Sequence, residues 1–340
     1  IPSRLVGSEM CIRDRWICVP HQASDDYIRK MARMFRDQLD PNLTIYLEYS
    51  NEVWNWSFQQ SHWNVDNGPG NLSYPRIYAE RSLNVFELWY EEFGADTGRV
   101  KRVLATQAAW NWVGQEILGH AGNKFDYFSP TWYFGYGGCE EDLWALDSNA
   151  TAADVLECTR NSWLAWLDGQ RQNFRDAYLM GKKVICYEGG QHMTSNPVVT
   201  TFQEAVYESQ IDSAIYDLYR EVMDSQRVWG AEMLMAFTLA SERESRYGSW
   251  GHLEDIDQDI TTQYAPKWEA LMDEIAPCSC ELNDSEEPTF SHCPDDMNSC
   301  SPVTAFMPPI AADDCNIANV ERLQSTTTTF TAILHHFTYI

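Results

Sequence analysis

Apolar and polar positions along the chain follow two alternating periods. Short apolar or β-branched runs recur at residues 16–20, 44–47, 99–107, 125–134, 183–187 and 231–238, and each reads as a strand. Longer stretches with helical spacing lie between them. Ile28, Met31, Phe35 and Leu39 recur every three or four positions behind Ser24, which is placed to cap a helix with Asp25 and Asp26 in its first turn. Residues 76–93 predict a second helix. A long helix begins near residue 151, with Trp163, Leu167, Phe174 and Tyr178 along one face. Ile211, Ile215, Leu218 and Val222 mark a helix within 203–225, and residues 266–275 predict a closing one. Residues 59–75 read as a long loop. Strands alternating with helices predict a parallel α/β fold.

Two of the predicted strands end in glutamate. The run at 44–47 leads into Glu48-Tyr-Ser-Asn-Glu52-Val-Trp-Asn55, which carries an amide, a carboxylate and an indole to the strand's C-terminal end. The run Val184–Tyr187, apolar throughout as for a strand covered on both faces, ends in Glu188-Gly-Gly. In parallel α/β folds that end is where chemistry sits. A pair of carboxylates is what glycoside hydrolysis requires, one as acid/base and one as nucleophile, about 5–5.5 Å apart in retaining enzymes and about 6.5–9.5 Å apart in inverting ones. Taken singly, Asn51 also suits a turn and Glu52 a solvated surface.

Asn51-Glu52 after one strand and Glu188 ending a strand three units later resemble the clan of retaining (β/α)8-barrel glycosidases, whose acid/base follows strand four and whose nucleophile ends strand seven. The resemblance spans residues 16–277 and is similar in wording to uncharacterised secreted bacterial members. It implies Glu52 as acid/base, Glu188 as nucleophile and Asn51 on the sugar 2-hydroxyl. It implies Trp250 as a sugar platform. Tyr133, near the end of the strand before that of Glu188, suits holding Glu188 in place or packing in the core. Trp54, Trp132 and His21 are further substrate-binding candidates, with Trp110 and His192 behind them. Glu48, Glu242 and Glu244 are the substitutes for Glu52. For any one tryptophan, core packing is the competing role.

If Glu52 follows strand four, the visible strands are three to eight of a TIM barrel, and the first two are missing. The segment 6–15 resembles a translated sequencing-adapter scar. Residues 1–15 are therefore expected to be foreign to the fold or unstructured, with the barrel at 16–277 and a Cys-rich extension and low-complexity tail at 278–340.

Composition narrows the partners. The 340 residues carry 50 acidic against 24 basic side chains, a net charge of −26, which disfavours nucleic acid and anionic membranes as partners. No run of apolar residues is long enough for a membrane span. Fourteen Trp and seventeen Tyr exceed the needs of one core and suit carbohydrate stacking. Of ten Cys, five cluster at 278, 280, 293, 300 and 315, a spacing that reads as disulfides outside the cytoplasm rather than a zinc site. Cys186 reads as a buried free thiol.

Neither a phosphate-cradling loop, a Ser-His-Asp order nor a metal motif is present, so no cofactor or metal is expected. These observations predict a secreted or periplasmic, monomeric, retaining glycosidase acting on a β-linked poly- or oligosaccharide. The alternative is a non-catalytic carbohydrate-binding relative of the same barrel.

Overall fold

The computed structural model describes residues 14–194 and 200–275. The Cys-rich extension and tail expected after residue 277 lie outside the described residues, as do residues 1–13. Asp14 and Arg15, placed by sequence in the foreign segment, belong to the fold: Arg15 opens the first strand, and Asp14 Oδ1 accepts from Thr44 N at 2.6 Å.

Six parallel strands form one sheet in sequential order: β1 (Arg15–Val19), β2 (Ile45–Tyr49), β3 (Val100–Thr106), β4 (Tyr127–Pro130), β5 (Lys183–Cys186) and β6 (Ala231–Leu234). Between them run α1 (Asp25–Gln38), α2 (Gln59–Asn67), α3 (Tyr74–Phe93), α4 (Asn111–Ala121), α5 (Glu140–Leu146), α6 (Ala152–Leu179), α7 (Gln203–Ser209) and α8 (Ser213–Val228), with α9 (Pro266–Ile275) last. Strand, helix and neighbouring parallel strand repeating in chain order is the pattern of a (β/α) barrel. Among the described residues no helix is long and apolar enough to cross a membrane.

The described residues form two compact units. The first comprises 14–133, 166–189 and 231–235 and contains the whole sheet; the second comprises 134–165, 190–194, 200–230 and 236–275. In the first unit, the two faces of the sheet carry different residues because side chains alternate along a strand. Ile45, Leu47 and Tyr49 of β2 are fully buried under the helix layer, where the Tyr49 and Tyr78 rings stack at 6.1 Å. On the opposite face Trp16 and Cys18 of β1 stand beside their register partners Tyr46 and Glu48. In the second unit, α8 packs against α9, and Cys139 is disulfide-bonded to Cys158. Cys18 and Cys186 are unbridged, Cys186 being buried.

Two expectations change. Residues 59–67 form helix α2 instead of loop; its buried positions are Ser61 and Asn64, so no apolar stripe announced it. The helix expected across 203–225 is divided into α7 and α8, because Asp212 caps α8 by accepting from Ala214 N at 2.8 Å. The strands expected at 125–134 and 231–238 are shorter, as β4 and β6 show.

The seam between β2 and β3 also bears on the site. Pairing between β1 and β2 runs the full length to Val19↔Tyr49, whereas β2–β3 pairing stops at Leu47↔Arg102. Beyond that point Ala105 N takes the hydroxyl oxygen of Tyr78, on α3, as its acceptor at 2.9 Å. The tyrosine satisfies a strand amide that would otherwise be buried unpaired.

Candidate active site

Glu188 follows β5 directly. Trp132 N donates to the Glu188 carbonyl at 3.1 Å, which extends the β4–β5 pairing past the strand ends and brings Tyr133 alongside. Tyr133 OH donates to Glu188 Oε1 at 3.2 Å. The next residue, Gly189, lies flat on the Trp132 indole, where a Cβ would overlap the ring, so only glycine permits this approach.

Glu52 is held by an irregular turn after β2. Ser50 and Glu52 have φ of 60° and 45°, in the left-handed region that non-glycine residues avoid. Such positions cost about 1–3 kcal/mol each and persist where the surroundings over-determine them. Here Ser50 N donates to Val19 O at 2.8 Å, Asn55 N to Glu52 O at 2.9 Å, and Gln60 Nε2 to Asn51 O at 2.8 Å. Asn55 Nδ2 donates to Glu52 Oε2 at 2.9 Å and so orients the carboxyl.

The Glu52 and Glu188 carboxyl groups hydrogen-bond to each other. A neighbouring carboxylate disfavours the ionised form of Glu188. Burial pushes Glu188 well above the usual carboxylate range, and the charges of Glu52 and Glu48 push it the same way; the Tyr133 hydrogen bond opposes them.

Glu48, on β2 four residues before Glu52, is a third acid whose charge acts on Glu188. It is buried, its Oε2 accepting from Trp16 Nε1 at 2.8 Å and lying 3.6 Å from Cys18 Sγ. Desolvation raises it to about 8, against the lowering effect of those two hydrogen bonds. Glu48 Oε1 and the Tyr187 hydroxyl are buried without partners, as is Asn51 Oδ1. Thus the sheet's polar face leads from Trp16 and Cys18 through Glu48 to the Glu52–Glu188 pair.

The other predicted residues divide. Trp54 is nearly buried, its ring edge-on to Tyr187 at 5.9 Å, and it lines a cavity of about 340 Å³ with Asn55, Trp56, Tyr74, Gln107 and Trp110. His21, after β1, packs edge-on to Trp63 at 5.6 Å, and partial burial lowers its pKa. Trp132 is fully buried, and its Nε1 donates to Met235 O at 2.7 Å. It offers no face for stacking a sugar; its large ring closes the core under Gly189, a role that composition alone does not reveal. Trp250 and His192 belong to the second unit, where their rings meet edge-on at 5.2 Å and Trp250 Nε1 donates to Tyr247 O. Tyr74 and Trp112, not singled out by sequence, join Trp56 and Trp110 in one aromatic cluster. Among the described residues no group of three or more His, Cys, Asp or Glu is arranged to hold a metal ion.

No protein-family model matches the chain, and no curated protein sequence does. Among solved structures it is similar to a modular endo-β-1,4-mannanase of glycoside hydrolase family 26 from Cellulomonas fimi. That match has a TM-score of 0.40 and 14% identity, over 72% of this chain and 45% of that one. The chain thus spans less than half the length of the mannanase. It is also similar to fungal β-1,4-galactanases, with a TM-score of 0.27 and 13% identity over 66% of this chain and 76% of that one. The GH53 catalytic domain of Ignisphaera aggregans gives 0.31 and 9%, over 71% and 77%. At TM-scores below 0.5 these likenesses carry no weight for the chemistry.

Proposed function

We propose that the chain is a glycoside hydrolase that cleaves a β-linked glycan with retention of configuration, using Glu188 as nucleophile and Glu52 as acid/base. The observation that carries this reading is the direct hydrogen bond between two glutamates delivered to the same end of a parallel sheet by different strands. Carboxyl groups in contact leave no place for a water between them, which favours the close spacing of a retaining pair over the wide spacing of an inverting one.

A shared proton suits the first half of the reaction. In the resting state burial keeps it on Glu188. When a sugar displaces the contact between the carboxyls, transfer to Glu52 gives an ionised nucleophile and a protonated acid in one step. Glu188 then attacks the anomeric carbon as Glu52 protonates the departing glycosidic oxygen. Glu52, now ionised, takes a proton from water, and the resulting hydroxide releases the sugar from Glu188. Tyr133 and Asn55 hold the two carboxyls. The Cys139–Cys158 disulfide supports an oxidising compartment, and hence secretion.

The test is sugar release from β-glycans by the wild type and by Glu188→Gln and Glu52→Gln. Each variant is expected to lose at least ~10³-fold in rate, with azide restoring turnover of an aryl glycoside only in the variant lacking the acid/base. Undiminished activity in either variant refutes the assignment. Glycan binding with no turnover by the wild type would instead identify a carbohydrate-binding protein.

A further inference from the structure

Next to Glu52 the surface carries an aromatic strip that the carboxylate chemistry does not use. Trp56, Tyr74, Trp112 and Trp110 follow one another in contact, with ring centroids 5.3, 5.8 and 5.0 Å apart. Three of these rings face solvent: Trp56 is 48% exposed, Trp110 54% and Trp112 36%. An indole pays a hydration penalty when left in water, and a contiguous exposed apolar patch on a soluble protein marks a binding surface.

The location follows from the seam in the sheet. Trp54, Asn55 and Trp56 lie in the chain that leaves β2, Gln107 and Trp110 in the chain that leaves β3, and the β2–β3 ladder stops short of both. The cavity of about 340 Å³ opens between them. Its walls are four aromatic rings and two amides, Asn55 and Gln107, and none of its six residues is charged. A neutral pyranose fits this chemistry: its axial C–H faces are apolar and its equatorial hydroxyls require donors and acceptors. A uronate or sulfated sugar would find no cation here. Asn55 belongs both to this cavity and to the Glu52 hydrogen bond, so the two sites are continuous.

We infer that the Trp56–Tyr74–Trp112–Trp110 strip with its cavity binds successive uncharged sugar residues of the glycan on one side of Glu52, so that the ligand is a chain of several sugars rather than a single one. This rests on the proposed carboxylate chemistry for its catalytic meaning, but the binding stands apart from it. A chain with such a strip gains affinity with each added sugar until the rings are filled.

The test is calorimetric titration of Glu188→Gln, in which ligand is not consumed, with β-1,4-linked mannohexaose, galactohexaose and cellohexaose and the matching disaccharides. At least one hexasaccharide is expected to bind ten-fold or more tighter than its disaccharide. Adding Trp110→Ala or Trp56→Ala is expected to weaken the hexasaccharide about five- to ten-fold each, with thermal melting unchanged because both rings are exposed. Trp166→Ala, an exposed tryptophan elsewhere in the first unit, serves as the control and leaves binding as it was. Polygalacturonate is expected not to bind. Equal affinity for disaccharide and hexasaccharide, absence of binding to all three hexasaccharides, or insensitivity to both tryptophan changes overturns the inference. Trp-dependent binding by a wild type that releases no sugar would sink the hydrolase reading and leave the strip standing.

Discussion

Tyr133→Phe isolates one contact in the proposed catalytic pair. The substitution removes a hydroxyl and keeps the ring, so packing around Tyr133 is preserved. What is lost is the donor to Glu188 Oε1. A hydrogen bond to a charged group contributes about 1.5–3 kcal/mol. At 3.2 Å this one is long for an O–H donor, whose usual distance is about 2.7–2.8 Å, which places it at the low end, about 1.5 kcal/mol. Because the Tyr133 bond lowers the Glu188 pKa, its removal raises it further, by about one unit at 1.36 kcal/mol per unit. A nucleophile works ionised, so the acidic limb of the kcat/KM profile moves up by about one pH unit. On that limb the variant runs about ten-fold slower than wild type, and the gap closes on the plateau. The assay is hydrolysis of an aryl β-glycoside across pH 4–9, with melting temperature as a control. An acidic limb that stays in place, or a uniform rate loss at every pH, would refute the assignment of Glu188 as the group titrating there.

Glu48→Gln tests the buried third acid. Its carboxyl loses its proton near 4.5 in the unfolded chain but near 8 in the fold, so the unfolded state binds fewer protons between these values and wild-type stability falls as pH rises through them. The amide lacks that slope, and the melting temperature of the variant relative to wild type should climb from pH 4.5 to 8, worth at most on the order of 5 kcal/mol; a pH-independent difference counts against a buried protonated Glu48. Gly189→Ala forces a Cβ into the Trp132 indole and should cost about 1–3 kcal/mol in urea unfolding, together with activity, whereas a neutral result would show that β4 and β5 yield easily.

The strand-borne part of the site was readable because its local signals agree. Lys183–Cys186 is short, apolar and followed by two glycines, and Glu188 can hardly be placed elsewhere. Glu52 was readable from its neighbours, but its left-handed φ was not, since nothing in Ser50-Asn-Glu52 replaces the glycine that such a turn usually takes. Helix α2 escaped because it buries serine and asparagine. Sequence marks Glu48 as a substitute for Glu52, but its burial beside Trp16 and Cys18 is visible only with register, which pairs Cys18 with Glu48 on the polar face. Tryptophans were the least legible, because the same residue type closes the core at Trp132 and stands in solvent at Trp110.

The two glutamates stand at opposite ends of a long path through the chain, one after β2 and one after β5, with β3 and β4 between them in the sheet. Their contact is therefore among the most non-local in the first unit, and it closes only after the intervening pairings have formed. The aromatic strip draws on residues 56–112 alone. During refolding from denaturant the proposed sugar-binding strip should therefore form before the proposed carboxyl pair closes.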